Sequence, residues 1–217
     1  MTTTQKYYLG AGATILAALA GTIVAYPHLP SIVPMHWDAQ GNINGWGPKS
    51  SLFLFGPGLM LFIVLLFAAL PWLSPKRFEV DSFRQTYLYM MIAVVAMLAY
   101  FHLLVLASAL GMALDMSRAI MGGISLLIAL LGNVMGKVRQ NFFIGIRTPW
   151  TLASERVWNA THRFAAKTLF IGGLLGLLAV IVRAPFWVPL ATILVGCLIP
   201  AVQSLVLYKQ LERRGEL

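Results

Sequence analysis

The sequence predicts an all-α, polytopic membrane protein with six transmembrane helices, an irregular outer loop and a cytoplasmic interfacial helix. Three observations carry this. First, 59% of the 217 residues are hydrophobic and only 11% are charged, where a soluble domain carries about 25% charged residues. Second, the mean hydropathy is +0.79, and the apolar residues gather into six separate runs. Third, the polar residues concentrate in two loops rich in tryptophan, proline and glycine.

A helix needs about 20 residues to cross a hydrocarbon core of about 30 Å. Runs of this kind lie near Tyr8–Tyr26, Ser51–Leu73, Tyr87–Leu110, Ser117–Met135, Thr168–Val182 and Phe186–Tyr208. The fifth is the shortest, with Arg183 placed to snorkel to the interface. Lys6 before the first run and Ala18-Leu19-Ala20 within it resemble a signal peptide. The run continues to Tyr26, however, longer than a signal core, so a retained helix is expected. The basic residues set the orientation. If the N-terminus is cytoplasmic, thirteen of the sixteen Lys and Arg residues fall inside, including Lys76, Arg77 and Arg84, and only Lys49, Arg118 and Arg183 fall outside. Such asymmetry is the positive-inside signal. It predicts a multi-pass protein of a bacterial inner membrane with both termini cytoplasmic. The net charge of +9 therefore reflects topology, and no nucleic-acid partner is expected. The single cysteine, Cys197, lies in an apolar run and says nothing of redox compartment.

The loop after the first helix, residues 27–50, falls outside. Pro27, Pro30, Pro34 and Pro48 rule out a regular helix and disfavour a central strand. Gly41, Gly45 and Gly47 supply positions for positive φ, and Trp37 and Trp46 suit the headgroup level. A compact, rigid cap is expected, ending at Lys49. His28, His36 and Asp38 follow no metal-ligand spacing. Their plainer role is to hold the loop together by hydrogen bonds, and no metal is expected.

The loop between the fourth and fifth helices, residues 136–167, falls inside. Its heart runs from Asn141 to His162. Gly145 permits a turn that a side chain would resist. Pro149 pushes Thr148 toward an extended conformation. A helix restarts near Thr151–Ser154, where hydroxyls can accept from free N–H groups. Val157, Trp158, Thr161, Phe164, Ala165 and Leu169 then share one face, and Glu155, Asn159, His162 and Arg163 another. This amphipathic pattern suits a membrane interface. Arg147, beside Thr148, Pro149 and Trp150, is placed either to clamp a phosphate or carboxylate or to anchor the loop to headgroups. Both readings stay open.

Within the helices, His102 is an ionisable group at membrane depth, and a bond to a neighbouring helix is its expected role. Asn133 and Gln203 are expected to bond between helices in the same way, and Gly172-x-x-x-Gly176 allows close helix approach. No internal repeat divides the chain into equivalent halves. No nucleophile elbow, phosphate-binding glycine loop or His-Glu-x-x-His motif is present. Neither catalytic residues nor a cofactor are therefore expected.

The two loops together resemble the SdpI family of bacterial membrane proteins. The outer loop is similar to the family's N-terminal domain of unknown function, DUF1648. The likeness rests on Leu29-Pro30, Val33-Pro34, His36-Trp37, Gly41, and Gly45-Trp46-Gly47-Pro48-Lys49. The inner loop resembles the C-terminal signature through Gly132-Asn133, Lys137, the run Asn141–Leu152, Trp158 and Thr161-His162. Gly136 departs from the family, where a proline is expected. The likeness divides the chain at residues 75/76 into a DUF1648-like region and an SdpI-like four-helix region.

The family's founding member is an immunity protein against a secreted antimicrobial peptide, and it also holds a repressor at the membrane. The resemblance thus implies a non-enzymatic receptor or resistance protein whose partners are membrane lipid, a peptide toxin outside and a cytoplasmic repressor inside. On that basis Pro34, His36, Trp37, Gly41, Gly45, Trp46 and Lys49 are expected to meet a ligand. Asn141, Gly145, Arg147, Thr148, Pro149, Trp150, Glu155, Trp158 and His162 are expected to meet the inner partner. Two rivals remain. One is a small transporter using His102. The other is a membrane enzyme using Glu155 with His162, or His36 with Asp38.

Overall fold

A computed structural model describes residues 1–74 and 80–217. Lys76, Arg77 and the expected boundary at 75/76 lie outside the described residues. Among those described, six helices are long and apolar enough to cross a membrane. The first is α1 (Thr3–Ala25). The second begins as α2 (Ser51–Phe53), passes through a π turn over Leu54–Gly58 and continues as α3 (Leu59–Leu73). The others are α4 (Arg84–Ala109), α5 (Met116–Met135), α7 (Glu155–Ile181) and α8 (Trp187–Arg213). A short α6 (Pro149–Ala153) lies in the inner loop.

Sequence explains the ends. Thr2 caps α1 in a reciprocal capping box with Gln5, and Asp115 caps α5 by accepting from the Arg118 N–H, each satisfying a donor the helix leaves free. Pro57 lies inside the π turn. Its missing N–H removes one rung of the normal ladder, and the wider turn accommodates the gap.

The core forms between α1, α3, α4, α5 and α7. Met60, Tyr87, Met91, Val95, Val138 and Trp158 are all buried there. Small residues let α5, α7 and α8 pack backbone to backbone. A Cβ added at Gly173 would lie 2.6 Å from the Ser125 carbonyl oxygen on α5, and one at Gly172 would lie 2.7 Å from the Thr192 carbonyl oxygen on α8. The glycine spacing thus fits the close approach expected of it. His102 also behaves as expected, with Nε2 lying 2.7 Å from Thr22 Oγ1 on α1. Asn133 and Gln203 do not. Asn133 is exposed on α5, and Gln203 Oε1 is buried without a hydrogen-bond partner.

Two expectations need correction. The outer loop is not irregular. It forms an antiparallel hairpin, β1 (Ile32–Trp37) with β2 (Ile43–Pro48), with a register shift after Pro34. A two-stranded sheet has only edge strands, and an edge tolerates the N–H that proline lacks. The second correction concerns the interfacial helix. After the single turn of α6, one uninterrupted helix of 27 residues runs from Glu155 to Ile181. Nothing in that run breaks it, so the segment expected to lie along the interface forms the first turns of the fifth membrane helix.

Candidate functional site

The inner loop folds around three buried polar side chains, Asn141, Thr151 and His162. Asn141 is fully buried. Its Nδ2 donates to the Arg139 and Ile144 carbonyls at 2.8 and 3.0 Å. Its Oδ1 accepts from the Phe143 and Ile144 N–H groups at 2.8 and 2.7 Å. One amide therefore uses two donors and two acceptor positions on the backbone of a single turn. Thr151 does similar work lower in the loop. Its hydroxyl lies 2.8 Å from the Ile146 carbonyl, and it accepts from the Thr148 N–H at 2.9 Å. Gln140 Nε2 donates to the Thr151 and Leu152 carbonyls at 2.9 and 3.0 Å, closing the end of α6.

His162 and Trp158 complete the frame. Both are fully buried, and their rings stack with centroids 4.0 Å apart. The Ile146 N–H donates to His162 Nε2 at 3.0 Å, which requires a lone pair on that nitrogen. The proton therefore sits on Nδ1, which donates to the Trp158 carbonyl at 2.8 Å. Trp158 Nε1 donates to the Val138 carbonyl at 2.9 Å, tying α7 to the start of the loop. Gly145 holds φ +112, and a Cβ there would overlap the His162 ring. This corrects the expected grouping of His162 with Glu155 on a polar face. His162 faces inward beside Trp158, four residues before it, while Glu155 is exposed.

The inner residues therefore divide into two groups. Asn141, Gly145, Trp158 and His162 are frame. Thr148 caps α6 from the start of that frame, with Pro149 as its first residue. Trp150 is half-buried, and its Nε1 donates to Ser204 Oγ on α8 at 2.5 Å. Arg147 and Glu155 face solvent. Arg147 also donates from Nη1 to the Phe142 carbonyl, so its guanidinium is held at the rim while the rest of the fork stays available. Gly136, where the family's proline was expected, ends α5 with φ −66, a value that proline also adopts.

The outer residues divide in the same way. Val33 and Pro34 are buried, and Val33 packs with Leu29 against Leu52, Leu106 and Ala109. His36 and Trp46 are exposed. His36 Nδ1 pairs with Asn44 Oδ1 at 2.5 Å, and Gly45 faces it with no room for a Cβ. Lys49 reaches back under the hairpin. Its Nζ donates to the Tyr26 and Leu29 carbonyls at 3.1 and 3.2 Å and lies 4.4 Å from the Tyr26 ring centroid. It caps the end of α1 and is only half-buried. Asp38 closes the tip by accepting from the Gln40 and Asn42 N–H groups at 3.0 and 2.8 Å. The Asn42 N–H foremost holds its carboxyl below the usual value. Gly41, at φ +87, lets the tip meet α5, where Ser117 Oγ donates to the Ala39 carbonyl at 2.7 Å. Trp37, with Met35, Phe101, Val105 and Met116, lines a cleft of 340 Å³ under the hairpin. Among the described residues no three His, Cys, Asp or Glu side chains come together as a metal site.

Sequence reasoning passed over Gln140, Thr151, Asn44 and Ser117 as site residues. Each is a polar residue whose partner is backbone or lies far along the chain. Trp158 and His162 were both expected at the site, but on different faces of the helix.

The class is that of a multi-pass helical membrane protein, capped by a docked hairpin at one end and by a tightly framed loop at the other. The model of the SdpI/YfhL protein family matches residues 137–206. The domain of unknown function DUF1648 matches residues 13–61. The chain is also 29% identical over 155 residues to the immunity protein SdpI of Bacillus subtilis, covering 70% of each chain. No solved structure matches.

Proposed function

We propose that this protein confers immunity to a secreted antimicrobial peptide, acting in a bacterial inner membrane with both termini in the cytoplasm. The observation that carries the reading is the relative named an immunity protein, whose likeness covers 70% of both chains. The two matched segments contain the two structured ends of the bundle, the hairpin and the framed inner loop. The reading is non-enzymatic. The hairpin face with His36, Trp37 and Trp46 meets the toxin, and the inner rim with Arg147 and Pro149 meets a cytoplasmic partner of the repressor type. The frame residues Asn141, Gly145, Trp158 and His162 act by fixing that rim.

The thirteen-to-three division of basic residues supports the orientation. If the ends communicate, the helices between must have two arrangements that a ligand biases. The test is expression in a sensitive bacterium challenged with a panel of secreted peptide toxins, beside an empty vector. Raised survival against at least one toxin is expected. Survival equal to the vector for every toxin, with the protein present in the membrane, contradicts the reading.

A further inference from the structure

A second cleft opens beside the hairpin tip, at the end of the bundle where α5 begins and α7 turns into α8. It has a volume of 620 Å³ and is lined by Gln40, Ser117, Arg118, Arg183, Phe186 and Trp187. Its charged groups are two arginines and Asp115, so it is net positive. Asp115 is committed to Arg118, with Oδ2 3.0 Å from Nη1. Among the described residues no carboxylate lies within ion-pair reach of Arg183.

The backbone at Arg183 is informative. Among the described residues, three helices end in the same paired bonds. At α4 the Gly111 N–H reaches the Ser108 carbonyl and the Met112 N–H reaches Ala107. At α8 the Gly215 N–H reaches Glu212 and the Glu216 N–H reaches Leu211. At α7 the Arg183 N–H reaches Val180 and the Ala184 N–H reaches Ala179. The motif requires a left-handed residue, for which glycine is the ordinary choice. Gly111 and Gly215 hold φ +85 and +66, whereas α7 places Arg183 there at φ +58. A residue with a Cβ is disfavoured in that conformation. The chain thus uses glycine at two such ends and, at the end that borders the cleft, an arginine without an acidic partner.

We propose that this cleft binds an anionic phosphate group, held by Arg183 with Arg118 at its side. A guanidinium fork matches phosphate oxygens in a bidentate way that a point charge does not. Phe186 and the exposed Trp187 flank the site as interfacial aromatic residues do, which fits a phosphate at headgroup level. A lipid headgroup and free phosphate share this chemistry. The site stands whether or not the chain confers immunity.

The test uses the full chain in detergent micelles and the variant Arg183→Gly. Glycine suits φ +58, so the fold is retained. Three probes are compared: phosphatidylglycerol, diacylglycerol with the same acyl chains, and inorganic phosphate. Binding is read by native mass spectrometry and by thermal shift. The wild type should hold phosphatidylglycerol in preference to diacylglycerol, and Arg183→Gly should bind it about tenfold more weakly, the scale of losing one charged hydrogen-bonded contact. A thermal shift with phosphatidylglycerol alone assigns the site to lipid, and a shift with inorganic phosphate as well assigns it to the phosphate group itself. Equal retention of phosphatidylglycerol by both proteins, or equal retention of both lipids by the wild type, overturns the proposal.

Discussion

Replacing Asn141 by alanine removes four hydrogen bonds from one buried amide, at 2.7 to 3.0 Å. All of their partners are backbone groups within the loop itself. A hydrogen bond contributes about 1 kcal/mol net, and a buried group left without a partner costs about 1–3 kcal/mol. The loop lies at the rim, so water can reach some of the freed groups. A loosening of about 2–4 kcal/mol follows from those values. Exchange of the Phe143 and Ile144 amides by local opening then speeds up about 30-fold or more, since each 1.4 kcal/mol is tenfold. Hydrogen exchange followed by mass spectrometry of peptides spanning 139–148 reads this directly. The helices α1 and α4, which share no bond with Asn141, should keep their protection. Asn141→Asp retains the acceptor but turns a carboxylate toward the Arg139 and Ile144 carbonyls, so it too should loosen the loop. Unchanged exchange across 139–148 in both variants would refute the claim that this amide organises the turn.

Three further outcomes are expected. Gly145→Ala places a Cβ into the His162 ring at a left-handed position, and should destabilise the loop by about 1–3 kcal/mol, read as faster exchange of the Ile146 amide. Thr22→Val removes the hydroxyl that meets His102 across α1 and α4. It should lower stability in micelles by about 1 kcal/mol, and a thermal transition equal to the wild type would contradict that role. Asp38 is held deprotonated by the turn it closes. Because its folded-state value is depressed, its contribution is present above the usual carboxylate value and is lost as pH falls through the folded value. The hairpin tip should therefore loosen on acidification, and Asp38→Asn should remove that dependence, as followed by exchange of the Gln40 and Asn42 amides.

Much of this architecture was legible in the sequence. The apolar runs located all six helices, because a hydrocarbon core imposes length and composition together. The extended Thr148 before Pro149 and a hydroxyl cap near Ser154 were readable because each acts within a few residues. The hairpin was not. Its prolines argue against a central strand, and nothing local says that the sheet has only two strands. His162 was misplaced because helical spacing puts it equally near Glu155 and Asn159 on one side and Trp158 on the other. What decides is Gly145, 17 residues earlier, which leaves room for the ring. Lys49 was read as a ligand group because its carbonyl partners, Tyr26 and Leu29, lie far back along the chain.

The exposed rim that the frame holds in place carries the proposed inner contact. The decisive measurement is survival under toxin challenge of cells carrying Arg147→Ala, compared with wild type at equal membrane levels. Arg147 is exposed and contributes one bond to the Phe142 carbonyl, so the variant should insert and fold. Loss of protection in that variant is the result predicted. Full protection by a well-expressed Arg147→Ala protein would contradict the assignment of function to the inner loop.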